Sequence, residues 1–217
     1  MHILPQNSKY IKIAGFLAFF FLVVAPLHAM PIPASEVLID FGEVTFRSVP
    51  SSELRDVEAV DPDMVMGATL ARFKVEYGAV LDREMNAEGC LPVNAVKIAA
   101  GYSSFDIMID ERYEPGSCEY DAIAGHELEH VRIYRNELAY YGKLIEDELL
   151  ISSLNMSEVC TEGGTRAEFR EKARSILRDD ERINLLFVRL DESVREKNAA
   201  FDSMEEYLRV KGQCSNW

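Results

Sequence analysis

The hydrophobic period of this chain changes once, and that change sets its architecture. Up to residue 110 apolar and polar side chains alternate. Val44, Phe46 and Ser48 face away from Thr45 and Arg47, and Phe73, Val75 and Tyr77 alternate with Arg72, Lys74 and Glu76. Val96 and Ile98 come next, then Phe105, Ile107 and Ile109 against Asp106, Met108 and Asp110. A period of two marks half-buried strands. The strand-rich stretch 36–110 is therefore expected to form a mainly antiparallel sheet. Turn-forming clusters at Ser48–Ser52, Asp61-Pro62-Asp63 and Glu114-Pro115-Gly116-Ser117 punctuate it.

After Ser117 the period becomes helical, and the helical half spans 119–212. One helix is predicted from Glu119 to Leu154. Gly163-Gly164 breaks the chain, and Thr165-Arg166-Ala167-Glu168 is a capping-box signature for the next helix. Its pattern runs almost to Gly212, roughly 70 Å at 1.5 Å per residue. That exceeds a compact domain, so a break is expected at Asp179-Asp180, where an aspartate can cap a new helix. Strands followed by long helices make the chain α+β.

Residues 1–29 read as an address rather than as fold. Lys9 and Lys12 precede a run of about 14 apolar residues, Ile13 to Pro26, and a small residue, Ala29, follows. The run falls short of the roughly 20 residues that span a bilayer. It predicts a cleaved signal, no stable membrane anchor, and a secreted or periplasmic product of residues 30–217 forming one domain. With 37 acidic residues against 23 basic ones, the chain lacks the basic face a nucleic-acid binder needs. Cys90, Cys118, Cys160 and Cys214 all lie beyond the leader. An even count in an exported chain reads as two disulfides. Closing contiguous segments favours Cys90–Cys118 and Cys160–Cys214.

The residues that carry chemistry are His126-Glu127-Leu128-Glu129-His130. On a helix, residues four apart share one face, so two imidazoles so placed can reach a single tetrahedral ion. Glu127 cannot ligate beside them, but it can stand at the open position as a general base. The other two histidines, His2 and His28, belong to the leader, so the exported chain keeps only the pair in this motif. A helical wheel places Glu127 within the arc of Val131, Tyr134, Leu138, Tyr141 and Ile145, with the histidines at its edge. A buried carboxylate there needs a partner. The competing reading is a polar cluster in which Glu127 and the two histidines satisfy one another.

Strands, an H-E-x-x-H helix and further helices resemble the zincin metallopeptidases. The resemblance is sharp over residues 122–131 and architectural elsewhere. It implies zinc held by His126 and His130, with Glu127 as general base. Glu129 and Arg132 depart from the stricter signature, which prefers an uncharged and a hydrophobic residue there, but both fall on the solvated face of the wheel. The metzincin extension is missing, because Ile133 and Asn136 stand where its glycine and histidine would be. A carboxylate must then complete the ligand set. Glu137 lies about 10 Å along the helix from His130 and cannot fold back. The last helix offers Asp202, Glu205 and Glu206. Glu205 falls within the stripe of Leu190, Val194, Phe201, Met204 and Leu208, which favours it over Asp202 and then Glu206. Gluzincin-type enzymes, whose glutamate ligand comes from a downstream helix, point the same way. Phe201-Asp202 and the ending Cys214-Ser215-Asn216-Trp217 are also loosely similar to a poorly characterised secreted bacterial type of zinc-dependent protease, a likeness that transfers no residue role.

Two function classes follow. One is an exported zinc-dependent hydrolase, a metallopeptidase acting on a protein or cell-wall peptide. In that reading the strand Ser104–Asp110, just before the helix, would present an edge to extended substrate. The other is a non-catalytic exported module of the zincin fold, with structural metal or none. A Gly-rich phosphate loop, a G-x-S-x-G elbow and a third histidine for a nucleophilic triad are all missing from the exported chain.

Overall fold

In the computed structural model, which describes residues 32–57, 66–215 and 217, the alternating segments collect into one sheet. The strands are β1 (Ala34–Asp40), β2 (Glu43–Val49), β3 (Gly67–Leu81), β4 (Cys90–Asp110) and the short β5 (Glu158–Cys160). The expected leader, residues 1–29, and the turn Asp61-Pro62-Asp63 lie outside the described residues.

β4 is the centre, 21 residues long. β3 lies antiparallel along one side of it, while β1 and β2 lie parallel along the other. The sheet is therefore mixed, with the parallel order β1-β4-β2 at its core, and not mainly antiparallel as expected. Period two tells which face a side chain takes and is the same for both strand directions, so the pattern held no information on this point. Ser104–Asp110 is likewise no edge. It pairs with β2 on one side and β3 on the other.

One irregularity explains a shift in the pattern of β4. Arg72 pairs with Ser104 but Phe73 pairs with Tyr102, leaving Ser103 as an extra residue. This bulge moves the buried positions from even numbers (Val96, Ile98, Ala100, Tyr102) to odd ones (Phe105, Ile107, Ile109) while keeping them on one face. The opposite edge accommodates the bulge through Gly42, between β1 and β2. Gly42 has φ of 64°, and a Cβ there would sit 2.4 Å from the Tyr102 carbonyl oxygen.

Helices cover that buried face. α1 (Ser51–Val57) covers a corner of the other, where Val49, Leu54, Ala68 and Met108 pack together. The rest of that second face carries cross-strand ion pairs such as Lys97–Glu36 at 2.7 Å. α2 (Cys118–Leu154) starts at the N-cap Ser117, whose hydroxyl accepts from the Tyr120 amide. It lays Ile123, Val131, Leu138, Ile145 and Leu149 along the sheet. α3 (Arg166–Arg178) begins with the expected Thr165–Glu168 capping box and buries Phe169, Ala173 and Leu177 at helical spacing. α4 (Glu181–Phe201) starts at Asp180, which caps the amides of Arg182 and Ile183.

A second break, at Asp202-Ser203, separates α4 from α5 (Met204–Lys211). Its signal stood in the sequence: Ser203 and Glu206 repeat the S-x-x-E spacing, and the Ser203 hydroxyl accepts from the Glu206 amide. Among the residues of α5 only Val210 is buried. Burying one valine returns about 1.5–3 kcal/mol. That is less than the roughly 1–2 kcal/mol per residue that ordering eight residues costs.

The disulfides differ from the expected pairing. They join Cys90 to Cys160 and Cys118 to Cys214. Cys90 and Cys160 face each other in the β4–β5 register. Cys118 heads α2, and α5 runs back along α2 to deliver Cys214 to it. Neighbours in sequence were not the neighbours in space. Two disulfides fit an oxidising compartment. Among the described residues no helix is long and apolar enough to cross a membrane.

Candidate metal centre

His126 and His130 occupy successive turns of α2, and their Nε2 atoms lie 3.2 Å apart. Asp202, at the α4–α5 junction, brings Oδ1 to 3.2 Å from Nε2 of His126 and 2.9 Å from Nε2 of His130. A tetrahedral ion with ligand bonds of 2.0–2.1 Å sets its ligands about 3.3–3.4 Å apart. The three donor atoms already form a face close to that size.

The outer nitrogens are also engaged. Nδ1 of His130 lies 2.9 Å from Oδ1 of Asn198, and Nδ1 of His126 lies 3.3 Å from Oε1 of Glu206. Glu206 is gripped by Arg209 at 2.5 and 2.6 Å, so it can only accept from the imidazole. With both Nδ1–H groups donating outward, both Nε2 lone pairs point at one spot and at a carboxylate oxygen. Three acceptors converging at about 3 Å repel one another unless a cation stands among them, either a proton or a metal. Phe201 fixes the rings: it stacks on His126 at 4.8 Å and meets His130 edge-on at 5.3 Å.

The electrostatics agree with that reading. Burial disfavours the charged form of His130, but the hydrogen bond to Asp202 and the negative charge of Glu127 outweigh it and push its pKa up to about 9. His126 moves the same way for the same reasons. Burial would raise the pKa of Asp202, yet its hydrogen bonds to the two imidazoles bring it down to about 2. These shifts favour a proton on the cluster at neutral pH, which a metal entering it would have to displace. Zinc binding at pH 7 should release about one proton per ion, with affinity falling further as pH drops. The proton count is read by calorimetry in buffers of different ionisation enthalpy. Zero release at pH 7 would mean that His130 is neutral there.

Glu127 is 3% exposed. The Thr69 hydroxyl donates to its Oε2 at 2.8 Å. A Cβ on Gly67 would come within 2.7 Å of Cγ2 of Ile123 and 2.9 Å of Oε1 of Glu127, so glycine leaves room for both side chains. The start of β3 is therefore a cradle for Glu127, which remains near enough to raise both imidazole pKa values. Nothing in the sequence local to Gly67 or Thr69 marks this long-range contact. Glu137 lies away from the cluster, held by Lys197 and by Ser193 at 2.7 Å, and it ties α2 to α4.

Glu205, the favoured third ligand in sequence, is exposed on the first turn of α5 and is not among the converging groups. Its place in the apolar stripe requires one continuous helix. The break at Asp202-Ser203 turns α5 away from that register and leaves Met204 and Leu208 exposed as well. Asp202 takes the inner position and Glu206 the outer one. The other grouping of possible ligands among the described residues, Cys90, Glu158 and Cys160, has its two sulfurs joined in a disulfide. No known family, curated protein or solved structure matches this chain.

Proposed function

We propose that the chain is an exported zinc-dependent hydrolase, a metallopeptidase acting on a protein or cell-wall peptide. The observation that carries this reading is the triangle of two Nε2 atoms and one Oδ1 with edges of 2.9–3.2 Å. His126, His130 and Asp202 would hold the ion. Zinc in such a site would supply Lewis acidity towards a carbonyl and lower the pKa of a water. Asn198 and Glu206 fix the imidazole tautomers from outside, and Phe201 fixes the ring planes. Glu127, positioned by Thr69, would take the proton from the attacking water and return it to the leaving amine. The side chain of Asp202 is 47% exposed, which gives the cluster an open flank, as a catalytic site needs and a closed structural site does not.

Elemental analysis of the wild type beside His126→Ala tests the metal. About one zinc per chain in the wild type, lost in the variant, is expected. An absence of zinc after reloading under native conditions would overturn the reading. One observation favours a non-catalytic exported module that binds metal only for structure: Glu127 is buried and already bonded to Thr69. The two readings part on whether turnover depends on Glu127.

A further inference from the structure

The candidate metal centre is assembled from two segments far apart in the chain. The histidine pair comes from α2. Asn198, Phe201, Asp202 and Glu206 all come from the end of α4 and the start of α5. The α4 side is anchored to α2 by Leu190 and Val194 in the shared core and by the Glu137–Lys197 and Glu137–Ser193 contacts. α5 itself buries only Val210, and beyond it Trp217 packs against Tyr113 and the same core. Yet Glu206 sits against His126, and three residues past the end of α5, Cys214 is bonded to Cys118 at the head of the same helix. His126 lies about 12 Å further along α2 from Cys118 at helical rise. The disulfide therefore clamps the far end of α5 to the element that carries the imidazoles. Asp202 caps the end of α4, its amide donating to the Asn198 carbonyl, and Glu206 lies between that cap and the clamp.

We propose that the Cys118–Cys214 disulfide regulates the metal centre, so that zinc is held tightly only once this bond has formed. The inference rests on the metal site proposed above. In the bonding step the two thiols pass two electrons and two protons to a disulfide donor, which leaves as two thiols. Before that step α5 is held to α2 by fewer contacts. Glu206 is then less closely held beside His126, and Asp202, fixed only through the end of α4, loses support from its C-terminal side. After it, the donor set is preorganised. A chain still in a reducing compartment would bind zinc weakly, and export into an oxidising one would complete the site.

Zinc dissociation constants are to be measured by competition with a chromophoric chelator on the oxidised wild type, on Cys118→Ser/Cys214→Ser and on Cys90→Ser/Cys160→Ser, with circular dichroism to establish folding. The first pair should bind zinc about 10- to 100-fold more weakly, the range for losing groups that orient metal ligands. The second pair, remote from the cluster, should bind like the wild type. Equal affinity in all three would overturn the proposal. A wild type that binds no zinc would instead overturn the metal site itself. Coupling must also run in reverse. With zinc present, the Cys118–Cys214 bond should be harder to reduce in the wild type than in His126→Ala, by about 30–60 mV for the same fold-change. This measurement by thiol labelling does not require the serine variants to fold. Equal potentials would count against the proposal.

Discussion

Asp202→Ala is expected to weaken zinc binding by more than about 100-fold, whereas Glu205→Ala leaves it unchanged. Removing groups that merely orient metal ligands costs 10–100-fold, and Asp202 is proposed as a ligand, with Oδ1 within 3.2 Å of both Nε2 atoms. Its loss would leave two imidazoles and no anionic donor. Glu205 is exposed and is not among the converging groups. Chelator competition on the two variants decides the matter. The opposite ranking would mean that α5 continues the register of α4 when metal is bound, restoring the stripe that contains Glu205. Glu206→Gln should have an intermediate effect, since the glutamine amide oxygen can still accept from Nδ1 of His126 but carries no charge.

The second large effect concerns Glu127. Glu127→Gln should retain zinc and lose peptide hydrolysis by about 10²- to 10⁴-fold, the usual contribution of a positioned general base. The substitution keeps shape and volume and removes the proton acceptor. The glutamine carbonyl can still accept from Thr69, so the packing against Gly67 is preserved. Zinc content and turnover on a broad peptide library are to be measured on the same preparation. Retained zinc with unchanged hydrolysis would remove Glu127 from the mechanism. No turnover in either protein would favour the non-catalytic module.

The element types were legible because each rests on local chemistry. Period two marked the strands, a helical period marked α2, and Thr165–Glu168 and Asp180 marked the starts of α3 and α4. The same capping logic applied to Ser203 and Glu206 would have found the last break, and with it the reason to prefer Asp202. That one turn shifts the candidate third ligand by three positions, from Glu205 to Asp202.

What the sequence determined by itself was therefore one-dimensional: which residues alternate, where helices start, and that His126 and His130 share a face with a glutamate beside them. Backbone geometry dictates these things within a few residues. Strand direction, the partner of each cysteine, and the meeting of Asn198, Phe201, Asp202 and Glu206 with the histidines belong to the tertiary structure. They depend on contacts between segments tens of residues apart. Such contacts are selected by how the bulged β4, the long α2 and the returning α5 fill space together, and no short stretch of chain carries that information.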